Sequence, residues 1–222
     1  MESLKLKVTY LELTTPHVAD AAMRLGIPIR VAPASVKSNW PNTHFVGRAR
    51  PVRHYGSVDV FLEAINNSDR GDVLVVDNSG RLDEACVGDL VIWGLHRDTP
   101  ELKTIRLPLF SLGTLPVGPQ RLDRRQDEFL TSASFGDFLV TGDDFVLADD
   151  DGIIFIPLDK AAEVAEVALS IRETERYQAS KMLLGQSFRS QASFDAYLNA
   201  RETDPELSFR QHLRAFGAEI EE

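Results

Sequence analysis

Apolar residues along the chain recur with the periods of helices and strands. Val18, Ala22 and Leu25 are spaced as on one helical face and end at Gly26, which indicates a short helix. The stretch "HFVGRARPVR" alternates as a strand does, and the next stretch, "SVDVFLEAINNSD", predicts a helix. The apolar face predicted for that second helix consists of Val58, Phe61, Leu62 and Ile65.

Continuous apolar runs predict strands that are buried on both faces. The first run is "GDVLVVDNSG", the second extends from Leu90 to Trp93, and the third is "LPLFSLG". Polar residues follow the carboxyl ends of the first two runs, which is typical of a site at the edge of an α/β sheet. We therefore predict an α/β fold with a central sheet.

From Phe129 to Pro157 the pattern changes to short β-runs separated by turns, which predicts a β-meander. Its last two runs, "DDFVLA" and "GIIFIP", are joined through Asp149, Asp150, Asp151 and Gly152. Three adjacent carboxylates can chelate a cation, but the turn preference of Asp favours an acidic hairpin turn. A long helix is then predicted from Leu158 to about Met182, with an apolar stripe of Val164, Val167, Ala168 and Ile171.

The tail contains too many regularly spaced aromatic residues to be disordered, and Asp204-Pro205 divides it into two predicted helices. Its large aromatic residues, Phe194, Tyr197, Phe209 and Phe216, are expected to be buried, either on a neighbouring subunit or on their own domain. The predicted organisation is one domain. Its core spans residues 1–185, and a helical C-terminal extension of residues 186–222 does not fold independently.

The charge balance bears on the class of partner. The 222 residues include 34 acidic and 24 basic side chains, a net charge of -10. Because a negative field repels a phosphate backbone, we expect no nucleic-acid partner. Arg48, Arg50 and Arg53 allow a local basic patch, although arginines that alternate on a strand more often form a solvated face.

The cysteine count indicates a reducing compartment, and the hydropathy of the chain indicates no membrane span. Cys86 is the only cysteine, so the chain has no intrachain disulfide and no Cys-based zinc site. No apolar run approaches the roughly 18 residues of a membrane span, and the N-terminus lacks the order of a signal peptide. We expect a cytoplasmic protein without membrane contact and, since no Gly-rich phosphate loop occurs, without a nucleotide site.

The stretch "VIWGLHRDTPE" concentrates chemically active side chains after the second apolar run. Arg97 offers a planar fork of donors that matches a carboxylate or an enolate oxygen. Asp98 and Glu101 are three apart on a predicted first helical turn, and two hard oxygen ligands suit Mg²⁺ or Mn²⁺. The alternative is a helix start, in which Asp98 caps and Glu101 completes a capping box. His96 is more readily explained as a packed ring than as a base.

Several motifs in a fixed order resemble the family of the regulator of ribonuclease activity A (RraA-like), which includes the 4-hydroxy-4-methyl-2-oxoglutarate aldolases. They are "VADAAMRLG", "VGRARPV", "GDVLVVD", "GDL", "GLHRDTPE", "LPLFSLGTLPVGP" and "VLADDDGIIFIP", and "FDAYL", "FRQHLR" and "GAEIEE" resemble the tail of one subgroup. The resemblance implies a swivelling β/β/α-type fold, a homotrimer or hexamer with sites between subunits, and a class II, divalent-metal-dependent pyruvate aldolase.

The resemblance also implies roles for individual residues. In it, Arg97 binds the pyruvyl oxygens, Asp98 holds the metal and Glu101 supports the metal's water shell. Asp89 corresponds to the acid that holds a proton-abstracting water. Backbone N–H groups at the start of a helix after "GDL", at Leu90 and Val91 here, cradle the substrate carboxylate, as helix N-termini do for anions.

The spacing between Asp89 and Arg97 departs from the family pattern. Only seven residues, 90 to 96, separate the two, and the helix that the family has after "GDL" has no counterpart. About 13 residues are therefore absent, which is the length of a crossover between parallel strands. Either the protein is a shortened member of the family or the sequence as read lacks a stretch. We favour the second explanation, because parallel pairing needs that connection.

The reaction implied by the resemblance is retro-aldol cleavage of a 4-hydroxy-2-oxo acid, or decarboxylation of oxaloacetate. Both reactions leave pyruvate enolate, and a small 2-oxo acid is the expected substrate. The alternative function is a non-catalytic regulator that binds a protein partner, such as a ribonuclease or a helicase, through an acidic outer face. One fold hosts both functions, so the fold does not decide between them.

Overall fold

The computed structural model describes residues 2–87 and 107–215. The chain divides into two compact units, one of Met1–Thr15 and Ile29–Ala162, the other of Pro16–Pro28 and Glu163–Glu222. The domain boundary predicted after residue 185 does not coincide with this division, because most of the long helix belongs to the same unit as the tail. That the C-terminal extension does not fold independently stays a prediction.

The described elements are seven α-helices, a 3₁₀ helix and nine strands. The helices are α1 (Glu2–Tyr10), α2 (Thr15–Arg24), α3 (Asp59–Asn66), α4 (Ala161–Leu183), α5 (Phe188–Gln191), α6 (Phe194–Thr203) and α7 (Phe209–Ala215), and the 3₁₀ helix is Asp127–Leu130. The strands are β1 (Arg30–Val31), β2 (Lys37–Ser38), β3 (Phe45–Arg53), β4 (Val73–Asp77), β5 (Phe110–Ser111), β6 (Ser132–Phe135), β7 (Phe138–Thr141), β8 (Asp144–Asp149) and β9 (Gly152–Pro157). Among the described helices, none has the length and apolarity needed to cross a membrane.

A mixed five-stranded sheet in the order β1-β9-β8-β3-β4 forms the centre of the first unit. Strands β3 and β4 are parallel, and the other neighbours are antiparallel. Strand β8 is buried along its whole length, as expected for a strand inside a sheet covered on both faces. The predicted central sheet is therefore confirmed. The predicted β-meander is instead two separate hairpins, because β6 and β7 form their own two-stranded sheet and only β8 and β9 belong to the central sheet.

Helix α3 connects the two parallel strands, but its buried face differs from the predicted one. Val60, Phe61 and Ala64 are buried, whereas Val58 and Leu62 are more than half exposed. The helix begins at Asp59, so Val58 lies before the first turn, and the side of the helix that packs is centred on Phe61 and Ala64 rather than on Val58 and Leu62. The buried face packs with Val52, Tyr55 and Phe129 in one apolar cluster.

The third apolar run is not a strand buried on both faces. Only Phe110–Ser111 is extended, and it pairs with β2 in a separate two-stranded sheet, where both of its residues are half-buried. Pro108 has no N–H for a ladder, and Gly113 has a φ of 135°, so the run is interrupted on both sides. The second run, Leu90 to Trp93, lies outside the described residues.

In the second unit, the tail helices form an aromatic cluster of their own. Tyr197 contacts Phe194, Phe209 and His212, with ring centroids 5.1 to 5.6 Å apart. The Nε2 atom of His212 also lies 3.0 Å from the Ala192 carbonyl oxygen. Helix α6 ends at Thr203, which confirms the predicted break at Asp204-Pro205. These described aromatics thus bury one another, and Phe216 lies outside the described residues.

The packing of β3 generates a stability prediction at Gly47. A Cβ at this position would lie 2.2 Å from the Gly71 carbonyl oxygen and 2.9 Å from Cγ2 of Val73. Because backbone atoms cannot give way cheaply, Gly47→Ala should lower the free energy of unfolding by about 1–3 kcal/mol. Gly118→Ala is the matched control, since nothing lies within 4 Å of its added methyl group. Equal denaturation midpoints for the two variants would contradict the close approach.

Candidate functional site at the carboxyl ends of two parallel strands

The parallel pairing of β3 with β4 brings their carboxyl ends to one edge of the sheet. Arg53 pairs with Asp77 as the last residues of the register, and the His54 amide donates to the Asp77 carbonyl oxygen at 2.8 Å. The next residues along the two strands, His54 and Asn78, are thereby neighbours. In open α/β sheets this edge is where ligand sites form.

Asp77 is buried, and its carboxylate is engaged by the protein itself. One oxygen accepts from the Ser79 amide at 2.7 Å, and the other accepts from the Ser134 amide at 2.9 Å. The Nε of Arg53 lies 3.4 Å from the second oxygen. Asp77 therefore fixes the turn after β4 and ties it to β6, which is a structural role.

Arg121 joins four segments of chain at this edge. Its Nε and Nη2 donate to one oxygen of Glu84 at 3.1 and 2.8 Å, and Nη1 donates to Asp123. Nη2 also donates to Oδ1 of Asn78 at 3.2 Å and, at 3.4 Å, to the carbonyl oxygen of His54. We call His54, Asn78, Glu84, Arg121 and Asp123 the Arg121 cluster.

The charge of Arg121 is stabilised by its partners. Burial disfavours the charged guanidinium, but the carboxylates of Glu84 and Asp123 outweigh that effect and raise its pKa above the usual value. The Glu84 side chain is 6% exposed and that of Arg121 is 14% exposed. The two therefore form a largely buried, charge-assisted pair, in which loss of either partner leaves an uncompensated charge.

The hydrogen bonds of Asn78 determine the tautomer of His54. Arg121 can only donate, so the Asn78 atom that it contacts is the oxygen, and the His54 Nδ1 atom, 2.8 Å from the same oxygen, must carry a proton. The ring stacks on Phe61 with centroids 5.2 Å apart. Its Nε2 is buried and has no hydrogen-bond partner within the part of the chain that the structure describes. In the neutral ring this atom is an unprotonated acceptor.

A shallow pocket of about 250 Å³ adjoins the Arg121 cluster. It is lined by Arg81, Asp83, Glu84, Gly118, Gln120 and Arg121. Its lining combines guanidinium and carboxylate groups of both signs, so it suits a small polar molecule better than an apolar one. Nearby Cys86 is half-buried, and burial raises the pKa of its thiol, which keeps the thiol protonated.

All residues that the sequence predicts for the catalytic site fall outside the described residues. They are Asp89, Leu90, Val91, Arg97, Asp98 and Glu101, and His96 lies with them. In residues 2–87 and 107–215, no group of three or more His, Cys, Asp or Glu side chains is placed to hold a metal ion. Whether Asp98 and Glu101 suit a divalent metal is therefore judged from the chemistry of their side chains. Both are carboxylates, the hard oxygen ligands that Mg²⁺ and Mn²⁺ prefer.

The full sequence decides between the two explanations for the short spacing after Asp89. The 222 residues are continuous through positions 89 to 97, so the favoured explanation, that the sequence as read lacks a stretch, is wrong. Relative to the spacing that the resemblance implies, the stretch between Asp89 and Arg97 is thus shorter by about 13 residues.

The three arginines of β3 do not form a free basic patch. Arg50 donates through Nε to Asp72 at 2.6 Å, Arg48 lies 3.7 Å from Asp143, and Arg53 contacts Asp77. Each guanidinium is therefore next to a carboxylate. This arrangement agrees with a solvated, ion-paired face rather than with a surface that attracts phosphate.

The three consecutive aspartates form a hairpin turn, as the turn preference of Asp indicates. Asp149 pairs with Gly152 at the end of the β8–β9 ladder. The carboxylate of Asp149 accepts from the amide and the hydroxyl of Thr15 at 2.6 and 2.7 Å, and from the amide of Asp151 at 3.0 Å. These bonds fix both the turn and the start of α2.

The sequence model of the RraA-like family, described as Aldolase/RraA, matches residues 15–155, which is more than half of the chain. The chain therefore belongs to the RraA-like family. A protein of Alcanivorax borkumensis is 31% identical over 126 residues, which are 51% of this chain and 78% of that protein. A protein of Aromatoleum aromaticum is 26% identical over 123 residues, 50% of this chain and 76% of that protein. Both carry the provisional name 4-hydroxy-4-methyl-2-oxoglutarate aldolase.

Other similarities extend over different shares of the sequences. Protein DlpA of Legionella pneumophila is 27% identical over 125 residues, which are 50% of this chain but only 20% of DlpA. Among solved structures, a protein from Pseudomonas syringae pv. tomato has a TM-score of 0.68 at 24% identity and covers 83% of this chain and 94% of its own. Streptomyces coelicolor RraAS2 has a TM-score of 0.66 at 21% identity, with coverages of 80% and 98%. The two structures confirm the predicted fold.

Proposed function

We propose that this protein is a divalent-metal-dependent lyase that forms pyruvate from a small 2-oxo acid. The observation that carries the proposal is the sequence Arg97-Asp98 followed by Glu101, in a chain that belongs to the RraA-like family. Two relatives named as aldolases, at 26% and 31% identity, support the same class. The substrates proposed are 4-hydroxy-2-oxo acids, cleaved by retro-aldol reaction, and oxaloacetate, which is decarboxylated.

Each proposed residue has a role that its chemistry suits. The Arg97 fork binds the pyruvyl oxygens and stabilises the negative charge that develops as the carbon–carbon bond breaks. Asp98 and Glu101 supply oxygen ligands, and a bound Mg²⁺ or Mn²⁺ would supply Lewis-acid chemistry at the oxygen of the developing enolate. Asp89 holds the water that removes the hydroxyl proton of a 4-hydroxy-2-oxo acid.

The shortened chain after Asp89 changes what Leu90 and Val91 are expected to do. The seven residues between Asp89 and Arg97 are too few for both a helix and a strand, so the proposal does not rely on a row of free N–H groups or a helix dipole to hold the substrate carboxylate. Leu90 and Val91 each have a backbone N–H group that could donate to that carboxylate. We therefore propose that Arg97 carries more of the carboxylate binding here than in members of the family that have the helix.

The competing proposal is a regulator that binds a protein partner and has no substrate. The structural relative from Streptomyces coelicolor is described as an unusual member of the RNase ES inhibitor RraA protein family. The net charge of -10 suits a basic partner surface. A lyase requires metal ions, whereas a docking regulator is indifferent to chelators, so one assay separates the two.

That assay follows pyruvate release from oxaloacetate. Release should require added Mg²⁺ or Mn²⁺ and stop in EDTA, because the enolate oxygen would be stabilised by the cation that Asp98 and Glu101 hold. Asp98→Asn is the matched variant, since it keeps the side-chain shape and removes the charge. Equal rates with metal and with chelator, after subtraction of the uncatalysed reaction, would exclude the lyase and favour the regulator.

We also propose a homotrimer or a dimer of trimers. Leu183 and Leu184, at the end of α4, are 90% and 88% exposed in the single chain, which is unusual for adjacent large apolar residues. A head-to-tail interface that uses them closes into a ring at a small number of copies. Light scattering at micromolar concentration should give a multiple of three chains, and Leu183→Ser with Leu184→Ser should reduce it. A fully active monomer would contradict both the ring and the shared site.

A further inference from the structure

Helix α1 and the turn that follows it have two apolar stripes on opposite sides. The inner stripe consists of Leu6, Tyr10 and Leu13, of which Tyr10 and Leu13 are buried and Leu6 is half-buried. These residues recur at the spacing of one helical face. The Tyr10 hydroxyl also donates to the Ala161 carbonyl oxygen at 2.9 Å. The inner stripe therefore fixes the orientation of α1 on the first unit.

The outer stripe consists of Leu4, Val8 and Leu11, which are 70%, 53% and 50% exposed. Steps of four and then three residues place the three side chains on one side of a helix. The Leu11 amide continues the helical hydrogen bonding, because it donates to the Lys7 carbonyl oxygen at 3.0 Å. Single exposed apolar residues are ordinary, but a stripe of them on a helix whose other side is already packed is typical of a surface that another molecule covers.

Two side chains of opposite charge lie along one flank of the outer stripe. Lys5 and Glu12 are both exposed and are seven positions apart, which is close to two helical turns. They are therefore on the same flank, near opposite ends of the stripe. In paired helices, charges that flank the apolar seam determine the choice and orientation of the partner. Glu12 also takes part in a polar interaction within its own chain, and a carboxylate has acceptor sites for more than one donor.

We propose that the outer stripe of α1 binds the outer stripe of a second copy of this chain, antiparallel to it, about a two-fold axis at Val8. Such an axis places Val8 against Val8 of the second copy and Leu4 opposite Leu11. The flank with Lys5 and Glu12 then meets the same flank of the second copy with its ends reversed. Each Lys5 thus faces a Glu12, so one surface supplies both the apolar contact and two ion pairs.

The contacts of Lys7 disfavour the parallel arrangement of two α1 helices. In that arrangement, Glu12 would need a cation on the opposite flank of the second copy, where Lys7 lies. The Nζ atom of Lys7 donates to the Gly71 carbonyl oxygen at 3.0 Å and lies 4.0 Å from Asp72, and the side chain is only 20% exposed. Lys7 is therefore held against its own unit, whereas Lys5 is exposed.

The contact is small, so its strength depends on the proposed ring of chains. Two helical turns from each copy bury far less than the roughly 1,200 Å² at the lower limit of stable interfaces. Several two-fold contacts between two rings act together, because the first contact raises the effective concentration for the next. The inference thus rests on the proposed oligomer, for which it specifies a dimer of trimers, and not on the proposed lyase.

A disulfide cross-link tests the position of the axis in the full chain. Val8→Cys with Cys86→Ser brings two thiols together at the two-fold axis, so mild oxidation should link most chains into covalent pairs on a non-reducing gel. Leu62→Cys with Cys86→Ser is the matched control, since Leu62 is 54% exposed but lies on α3. It should stay unlinked at the same protein concentration, and equal linking of the two variants would overturn the inference.

Charge reversal tests the orientation and the identity of the occupant. Lys5→Glu alone and Glu12→Lys alone place like charges across the contact, so light scattering should show dissociation into single rings at a protein concentration on the order of 10-fold higher than for the wild type. The double variant Lys5→Glu with Glu12→Lys restores both attractions and should match the wild type. A double variant that dissociates like the single ones would overturn the antiparallel contact.

Removal of the outer stripe separates this contact from the proposed ring. Leu4→Ser with Leu11→Ser should halve the mass of the assembly and leave single rings intact. Leu183→Ser with Leu184→Ser should break the rings, while Val8→Cys still cross-links pairs of chains. An unchanged mass after loss of Leu4 and Leu11 would overturn the inference, since the stripe would then be covered by some other partner or by none.

Discussion

Parallel pairing of β3 with β4 is the constraint on which the arrangement of the site depends. The register from Ala49 with Val73 to Arg53 with Asp77 brings both strands to the same edge. Gly47 is part of that constraint, because any side chain there would meet the backbone of Gly71. His54 and Asn78 continue directly from the two strands, so their contact follows from the register. A single Arg121 guanidinium can therefore hydrogen-bond to both residues.

The ion pairs near this edge of the sheet differ in how far their side chains are exposed to solvent. The Arg121–Glu84 pair lies away from water, where an unpaired partner is costly and geometry is well defined. Arg48 and Arg125 are more exposed, as are their carboxylate partners, and such pairs contribute little to stability. Of the ion pairs at this edge of the sheet, Arg121–Glu84 is the least exposed, so removing one of its members is expected to leave the most costly unpaired charge.

Sequence patterns predict the local features of this fold well. The break before Pro205 and the turn at Asp149 are set by residues close in sequence, and both are confirmed. Of the predicted apolar stripe of α4, Val164, Ala168 and Ile171 are buried, and Val167 is partly exposed. The buried face of α3 was predicted wrongly, because apolar residues occur on more than one side of this helix and packing against Val52, Tyr55 and Phe129 selects the side of Phe61 and Ala64. The run "LPLFSLG" was wrong as a buried strand, because Pro108 and Gly113 limit it.

The Arg121 cluster could not be found from the sequence. Glu84 and Arg121 are 37 positions apart, and His54 and Arg121 are 67 apart. Such contacts leave no periodic pattern, and no motif resembles them. Gly118 and Pro119, which precede Arg121 in the sequence, indicate a turn but no functional role for Arg121. The family resemblance identifies the motif that ends in Arg97, Asp98 and Glu101, but it does not identify the Arg121 cluster.

The central claim is that "RDTPE" performs chemistry and is not merely a capped helix start. The most direct measurement is kcat/KM for oxaloacetate, together with the melting temperature, of Arg97→Lys. Because Lys keeps the charge but lacks the fork, the account predicts a loss of at least ~100-fold, about 2.7 kcal/mol, with an unchanged melting temperature. Retained activity, or a melting temperature that falls steeply in parallel with activity, would contradict it.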